Sequence, residues 1–180
     1  WEKKILNICG EKYSGKSHLS NIFKKKFNAL KLNAHDLNNS HLKEFKVYEN
    51  IILDDFTENI DENLMYTLFN IADQDNKFIL INSLKPINSM KFNLDDFSSR
   101  TKNCLLAQIE NPDDELIFAI LLKNFSDRQI TIEKKLIDFI IKHIDRSYGK
   151  IYEFIYKIDE ISLKKKKSID FKSIKEVLKV

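Results

Sequence analysis

The stretch Gly10-Glu11-Lys12-Tyr13-Ser14-Gly15-Lys16-Ser17-His18 constrains this chain more than any other. The 180 residues contain only three glycines, and two of them stand here, followed at once by a lysine and a serine. Gly10-x-x-x-x-Gly15-Lys16-Ser17 matches the P-loop pattern at every fixed position. A phosphate chain needs a loop with no Cβ in the way, so that successive N–H groups converge, and the positive end of a helix beneath it. The apolar run KILNIC (4–9) leads into the loop and a helical pattern over 16–27 leaves it. On this reading residues 10–18 wrap the phosphates of ATP or ADP, Lys16 reaches the outer phosphates, and the Ser17 hydroxyl ligates Mg²⁺. The alternative is a glycine-containing turn and helix cap.

A P-loop requires a second strand carrying carboxylates. NIILDDF (50–56) supplies one, with Asp54 suited to the Mg²⁺ site and Asp55 to polarising an attacking water. By itself, such an ending also reads as a cap or turn. The run KFILINS (77–83) ends in Asn82 and Ser83, where a γ-phosphate or attacking water would lie. A polar strand end before Pro86 is the other reading.

Five β-type runs recur: 4–9, 29–34, 50–56, 77–83 and 104–109. Several are almost continuously apolar, as strands covered on both faces would be. Helical patterns at 16–27, 36–45 and 61–75 separate them, and the alternation predicts a parallel α/β sheet. Past residue 110 no strand pattern returns. Pro112 and a cluster of acids open a helix, and further helical stretches cover 131–145, 148–160 and 169–179. The predicted organisation is an α/β nucleotide-binding domain over 1–110 and a small helical lid over 111–180.

Composition narrows the partners. Thirty Lys and Arg against 27 Asp and Glu leave a formal charge of +3, which favours neither strong nucleic-acid binding nor an anionic membrane. No apolar run approaches a membrane span, the four histidines lack metal-ligand spacing, and Cys9 and Cys104 sit in apolar runs. These features predict a soluble cytoplasmic protein with buried, reduced cysteines. LKKKKS (163–168) reads as a solvated loop. The chain begins with Trp1, and the expectation is that a native N-terminal segment precedes it.

Taken in order, these motifs resemble the DnaA-like branch of the AAA+ ATPases. SGKSHL (14–19), the paired Asp54–Asp55, Pro86 after the strand end, Leu94 before Ser99–Arg100, and Pro112-Asp113-Asp114-Glu115 all match landmarks of that branch. The resemblance implies that Asn82–Ser83 is a sensor I position and that Arg100 is an arginine finger reaching a neighbour's γ-phosphate. The 29–34 and 50–56 runs leave room between them for one short helix only. Within these 180 residues no DNA-binding domain is expected beyond the lid. Both points make the chain most similar to the Hda-type regulators, which inactivate DnaA. The implied partners are DnaA and a DNA-loaded sliding clamp, the latter through an N-terminal peptide absent from this sequence. A homo-oligomer belongs to the alternative readings: a self-sufficient ATPase or loader, or the ATPase module of an initiator. Gly149 falls where the family has a sensor II arginine, with Lys150 and Arg146 nearby, which implies weak intrinsic hydrolysis.

Overall fold

The computed structural model describes residues 3–165 and 169–179. Trp1 and residues 166–168 of the LKKKKS patch lie outside the described residues. The chain divides into two compact units, Trp1–Ile109 and Glu110–Val180.

In the first unit, strands β1 (Ile5–Gly10), β2 (Ala29–Asn33), β3 (Asn50–Phe56), β4 (Phe78–Ser83) and β5 (Leu105–Ile109) alternate with helices α1 (Lys16–Lys26), α2 (Asn39–Phe45), α3 (Glu62–Gln74) and α4 (Asp95–Lys102). The strands form one parallel sheet in the order β2-β3-β4-β1-β5. A parallel strand can follow another only through a crossover, which is why each gap holds a helix. Between β2 and β3 the chain has room for a single 3-10 turn, Ala34–Asp36, and the short α2.

Period-two alternation splits the strand residues between two unequal faces. Ile51 and Leu53 join Phe45, Phe56, Met65, Leu68, Phe69 and Phe97 in a large core under α2, α3 and α4. Ile52 and Leu80 face the other way, into a thin layer with Ala29, Leu6, Ile8 and Phe23 of α1. Burying each of those phenylalanines removes enough apolar surface that truncation to Ala would cost about 3–5 kcal/mol.

β5 departs from the expectation of strands covered on both faces. It is a sheet edge, paired only with β1, and Leu105 and Leu106 are 38% and 39% exposed. Cys104 precedes this strand rather than opening it. It is half-buried, its thiol contacts the Arg100 carbonyl at 3.6 Å, and burial pushes its pKa up to about 12. Cys9 is buried, and neither cysteine is in a disulfide.

The second unit packs α5 (Asp114–Asp127), α6 (Lys134–His143), α7 (Tyr148–Lys165) and α8 (Phe171–Leu178) around Leu121, Phe125, Ile137, Ile140, Ile155 and Ile158. Pro112 stands just before the helix rather than in its first turn. Asp113 is the N-cap, accepting from Leu116 N–H at 2.8 Å. Among the described residues, no helix is long and apolar enough to cross a membrane.

Candidate functional site

The P-loop leaves β1 at Gly10 and enters α1 at Lys16. A Cβ on Gly10 would stand 3.0 Å from Ile109 Cβ and 3.1 Å from Ser14 Oγ, so any side chain there would push its neighbours aside by a few tenths of an ångström. Gly15 has φ +93, a left-handed conformation that side chains resist. It is also the N-cap of α1 and offers no side-chain cap, which leaves the first-turn N–H groups available to an anion. The Lys16 ammonium donates to the carbonyls of Gly10 and Glu11, both at 2.8 Å. Burial lowers the Lys16 pKa, with Asp54 and Asp55 pulling the other way.

The sheet order decides what meets the loop. β4 lies between β1 and β3, so Asn82 at the end of β4 bridges α1 and the aspartate strand. Its Nδ2 donates to Ser20 Oγ at 2.6 Å and to Asp54 Oδ1 at 3.0 Å. Ser17 Oγ donates to the same oxygen at 3.3 Å. Lys31 Nζ pairs with Asp54 Oδ2 at 3.1 Å. Burial alone would raise the Asp54 pKa, but the Asn82 and Lys31 hydrogen bonds, the Lys31 charge and Ser17 together hold it below the usual carboxylate value.

Asp55 is exposed, with φ 53, at an irregularity where the β3–β4 register shifts between Leu53 and Phe56. The shift turns its carboxylate toward Asn33 Nδ2, which donates at 3.4 Å. Ser83 is engaged elsewhere. The fully buried Asn7 donates to Ser83 Oγ at 2.8 Å and Ser83 donates to the Lys85 carbonyl at 2.6 Å. Asn7 also accepts from Ile87 N–H at 2.9 Å, pinning the turn after β4. Of the Asn82–Ser83 pair, only Asn82 belongs to the cluster at Asp54.

This arrangement fits the phosphates of a nucleotide. Ser17 and Asp54 are hard oxygen donors of the kind Mg²⁺ takes, but Asp54 is already paired with the Lys31 ammonium. Asn82 Oδ1 and Ser14 Oγ are buried without a hydrogen-bond partner, as expected of groups that a ligand completes.

Arg100 lies elsewhere. It sits in the last turn of α4, just before β5 begins, and Asp73 sits near the end of α3, just before β4 begins. Both therefore mark the N-terminal edge of the sheet, opposite the P-loop. The guanidinium meets Asp73 Oδ2 at 2.6 Å and lies 5.2 Å from the centre of the Tyr66 ring. Glu62 fixes the other end of α4 by accepting from the N–H groups of Asn93 and Leu94 at 3.0 and 2.6 Å. In the helical unit, Arg146 pairs with Asp114 at 2.8 Å and Lys150 with Glu153 at 3.1 Å. Gly149 lies in the first turn of α7.

No protein-family model and no curated protein matches the chain. Solved structures do. Domain III of the replication initiation protein DnaA from Thermotoga maritima matches with a TM-score of 0.80 at 20% identity, over 99% of this chain and 84% of that one. The chain has an AAA+ fold. AMPPCP-bound DnaA from Aquifex aeolicus matches with a TM-score of 0.71 at 20% identity, over 97% of this chain and 60% of that one. The RuvB Holliday junction branch migration motor of T. maritima gives 0.73 at 14%, over 98% and 61%. The AAA+ fold here thus spans about three fifths of those longer DnaA and RuvB chains.

The sequence reading did not single out Lys31, Ser20, Asn33 or Asn7. Lys31 had a visible signal, a lysine at the centre of the otherwise strand-like ALKLN. The other three are small polar residues whose partners come from distant strands.

Proposed function

We propose that this chain is a nucleotide-binding AAA+ regulator of replication initiation, Hda-like in role, that promotes hydrolysis of the ATP held by DnaA. One observation carries the reading: the phosphate-binding cluster and Arg100 occupy opposite edges of a single sheet. An arginine so placed serves another molecule's phosphate rather than its own chain's. A finger of this kind is worth about 10³-fold or more in rate. The likeness to structures titled as DnaA, one of them bound to AMPPCP, supports both the replication context and the nucleotide.

In this reading residues 1–110 hold ATP or ADP and residues 111–180 form the lid. Lys16 and the loop N–H groups bind phosphate, and Ser17 and Asp54 stand where the P-loop pattern puts the divalent ion. Asn82 orients the water or γ-phosphate, with Ser83 buttressing the strand end. Asp55 faces solvent, and Arg146 and Lys150 are already ion-paired, so intrinsic hydrolysis is slow. The sliding clamp is the second partner of this reading. The test is to add the protein to ATP-loaded DnaA with clamp on DNA and follow phosphate release. Accelerated release is expected, and an unchanged rate at saturating protein overturns the proposal.

The likeness to RuvB, titled a branch migration motor, favours a second reading, a homo-oligomeric ATPase that hydrolyses its own nucleotide. Under that reading phosphate release would rise with this protein's own concentration and without DnaA.

A further inference from the structure

We infer that Lys31 is a resident cation on the aspartate that would otherwise serve a metal, and that it uncouples nucleotide binding from Mg²⁺. The inference rests on the proposed nucleotide site.

Lys31 is the central residue of β2, and only a fifth of its side chain is exposed. Its ammonium is fixed from two sides, by Asp54 Oδ2 at 3.1 Å and by Asn21 Oδ1 of α1 at 2.8 Å. The other Asp54 oxygen already accepts from Asn82 and Ser17. A carboxylate that serves a divalent ion keeps an oxygen for the ion or for one of its waters. Here both oxygens are taken, and one of them by a positive charge. An ammonium has no lone pair to offer a metal, and at this range its charge opposes a second cation. It also neutralises the carboxylate that would draw Mg²⁺ in. The ligand class is therefore a nucleoside di- or triphosphate, held at the P-loop with the divalent ion contributing little.

Calorimetric titration of the full chain with ADP, in Mg²⁺ and in EDTA, tests this. Wild-type affinities in the two media should agree within about three-fold, whereas Lys31→Met should bind at least about ten-fold tighter in Mg²⁺ than in EDTA. Lys31→Arg, which keeps the charge, should behave as wild type. Mn²⁺ resonance spectra should show more protein-bound metal in Lys31→Met than in wild type, and thermal unfolding will confirm that each variant is folded. Equal metal dependence in wild type and Lys31→Met overturns the inference alone, as does Lys31→Arg behaving like Lys31→Met. Absence of ADP binding by all three proteins overturns the nucleotide site and the inference together.

Discussion

At the C-terminal edge of the sheet, Lys16, Asp54 and Asn82 crowd around a tight glycine-bearing loop, and polar atoms there lack partners. Among the described residues, two of the three buried side-chain polar atoms without a partner, Ser14 Oγ and Asn82 Oδ1, belong to this edge. At the N-terminal edge, Arg100 is complete: one carboxylate at 2.6 Å, one ring beneath it, and a helix fixed at its far end by Glu62. Leaving a buried polar atom unpaired costs about 1–3 kcal/mol, and a fold retains such atoms where a ligand repays the loss. A self-satisfied surface arginine needs no ligand to be stable. Whatever uses Arg100 must come from outside and compete with Asp73. Under the proposed function the two edges serve different reactions.

The largest test of this contrast is Lys16→Ala. Loss of a charge-assisted contact to phosphate should weaken nucleotide binding by about 100-fold or more, while thermal stability stays close to wild type. Calorimetry reporting unchanged affinity would remove the phosphate cradle from the account.

Asp54→Ala should come next in size, costing about 1–3 kcal/mol in thermal unfolding because Asn82, Ser17 and Lys31 lose their shared carboxylate. Asp54→Asn separates charge from shape. The folded-state pKa of Asp54 lies below its ordinary 3.8. Its contribution to stability is therefore fully present above about pH 4 and is lost as pH falls through the folded value. Melting curves between about pH 3 and 6 should be flatter for Asp54→Asn than for wild type. An identical profile would mean that the carboxylate is not held by its neighbours as described.

Gly15→Ala should cost about 1 kcal/mol of stability, because φ +93 suits glycine. Chemical denaturation will measure it, and a stabilised variant would contradict the loop geometry. The smallest effect belongs to the other edge. Arg100→Ala should change stability by no more than about 0.5–1 kcal/mol, since its partners are half-exposed, and should leave nucleotide affinity unaltered.

Strands and helices were legible because near-continuous apolar runs and helical stripes alternate; the structure adds Asp61, Asp113 and Asp170 as the caps of α3, α5 and α8. The P-loop was legible for a different reason: its glycines answer to backbone geometry, not to packing. The exposure of β5 was not, because an edge strand of leucines reads like a central one until its neighbours are known. Nor was the left-handed Asp55, since aspartate tolerates that conformation without any local signature. Lys31 could be seen but not understood. Its partner lies 23 residues on, at Asp54, brought alongside only by the pairing of β2 with β3.

The account turns on whether Arg100 acts on a partner's phosphate. The measurement is phosphate release from ATP-loaded DnaA, with clamp on DNA, on adding wild type, Arg100→Ala or Lys16→Ala. Wild type should accelerate release and Arg100→Ala should lose that acceleration while still binding ADP with wild-type affinity. Lys16→Ala should bind ADP weakly and stimulate only in proportion to its remaining occupancy. Full stimulation by Arg100→Ala would contradict the account, because the arginine at the far edge of the sheet would then be a surface ion pair and nothing more.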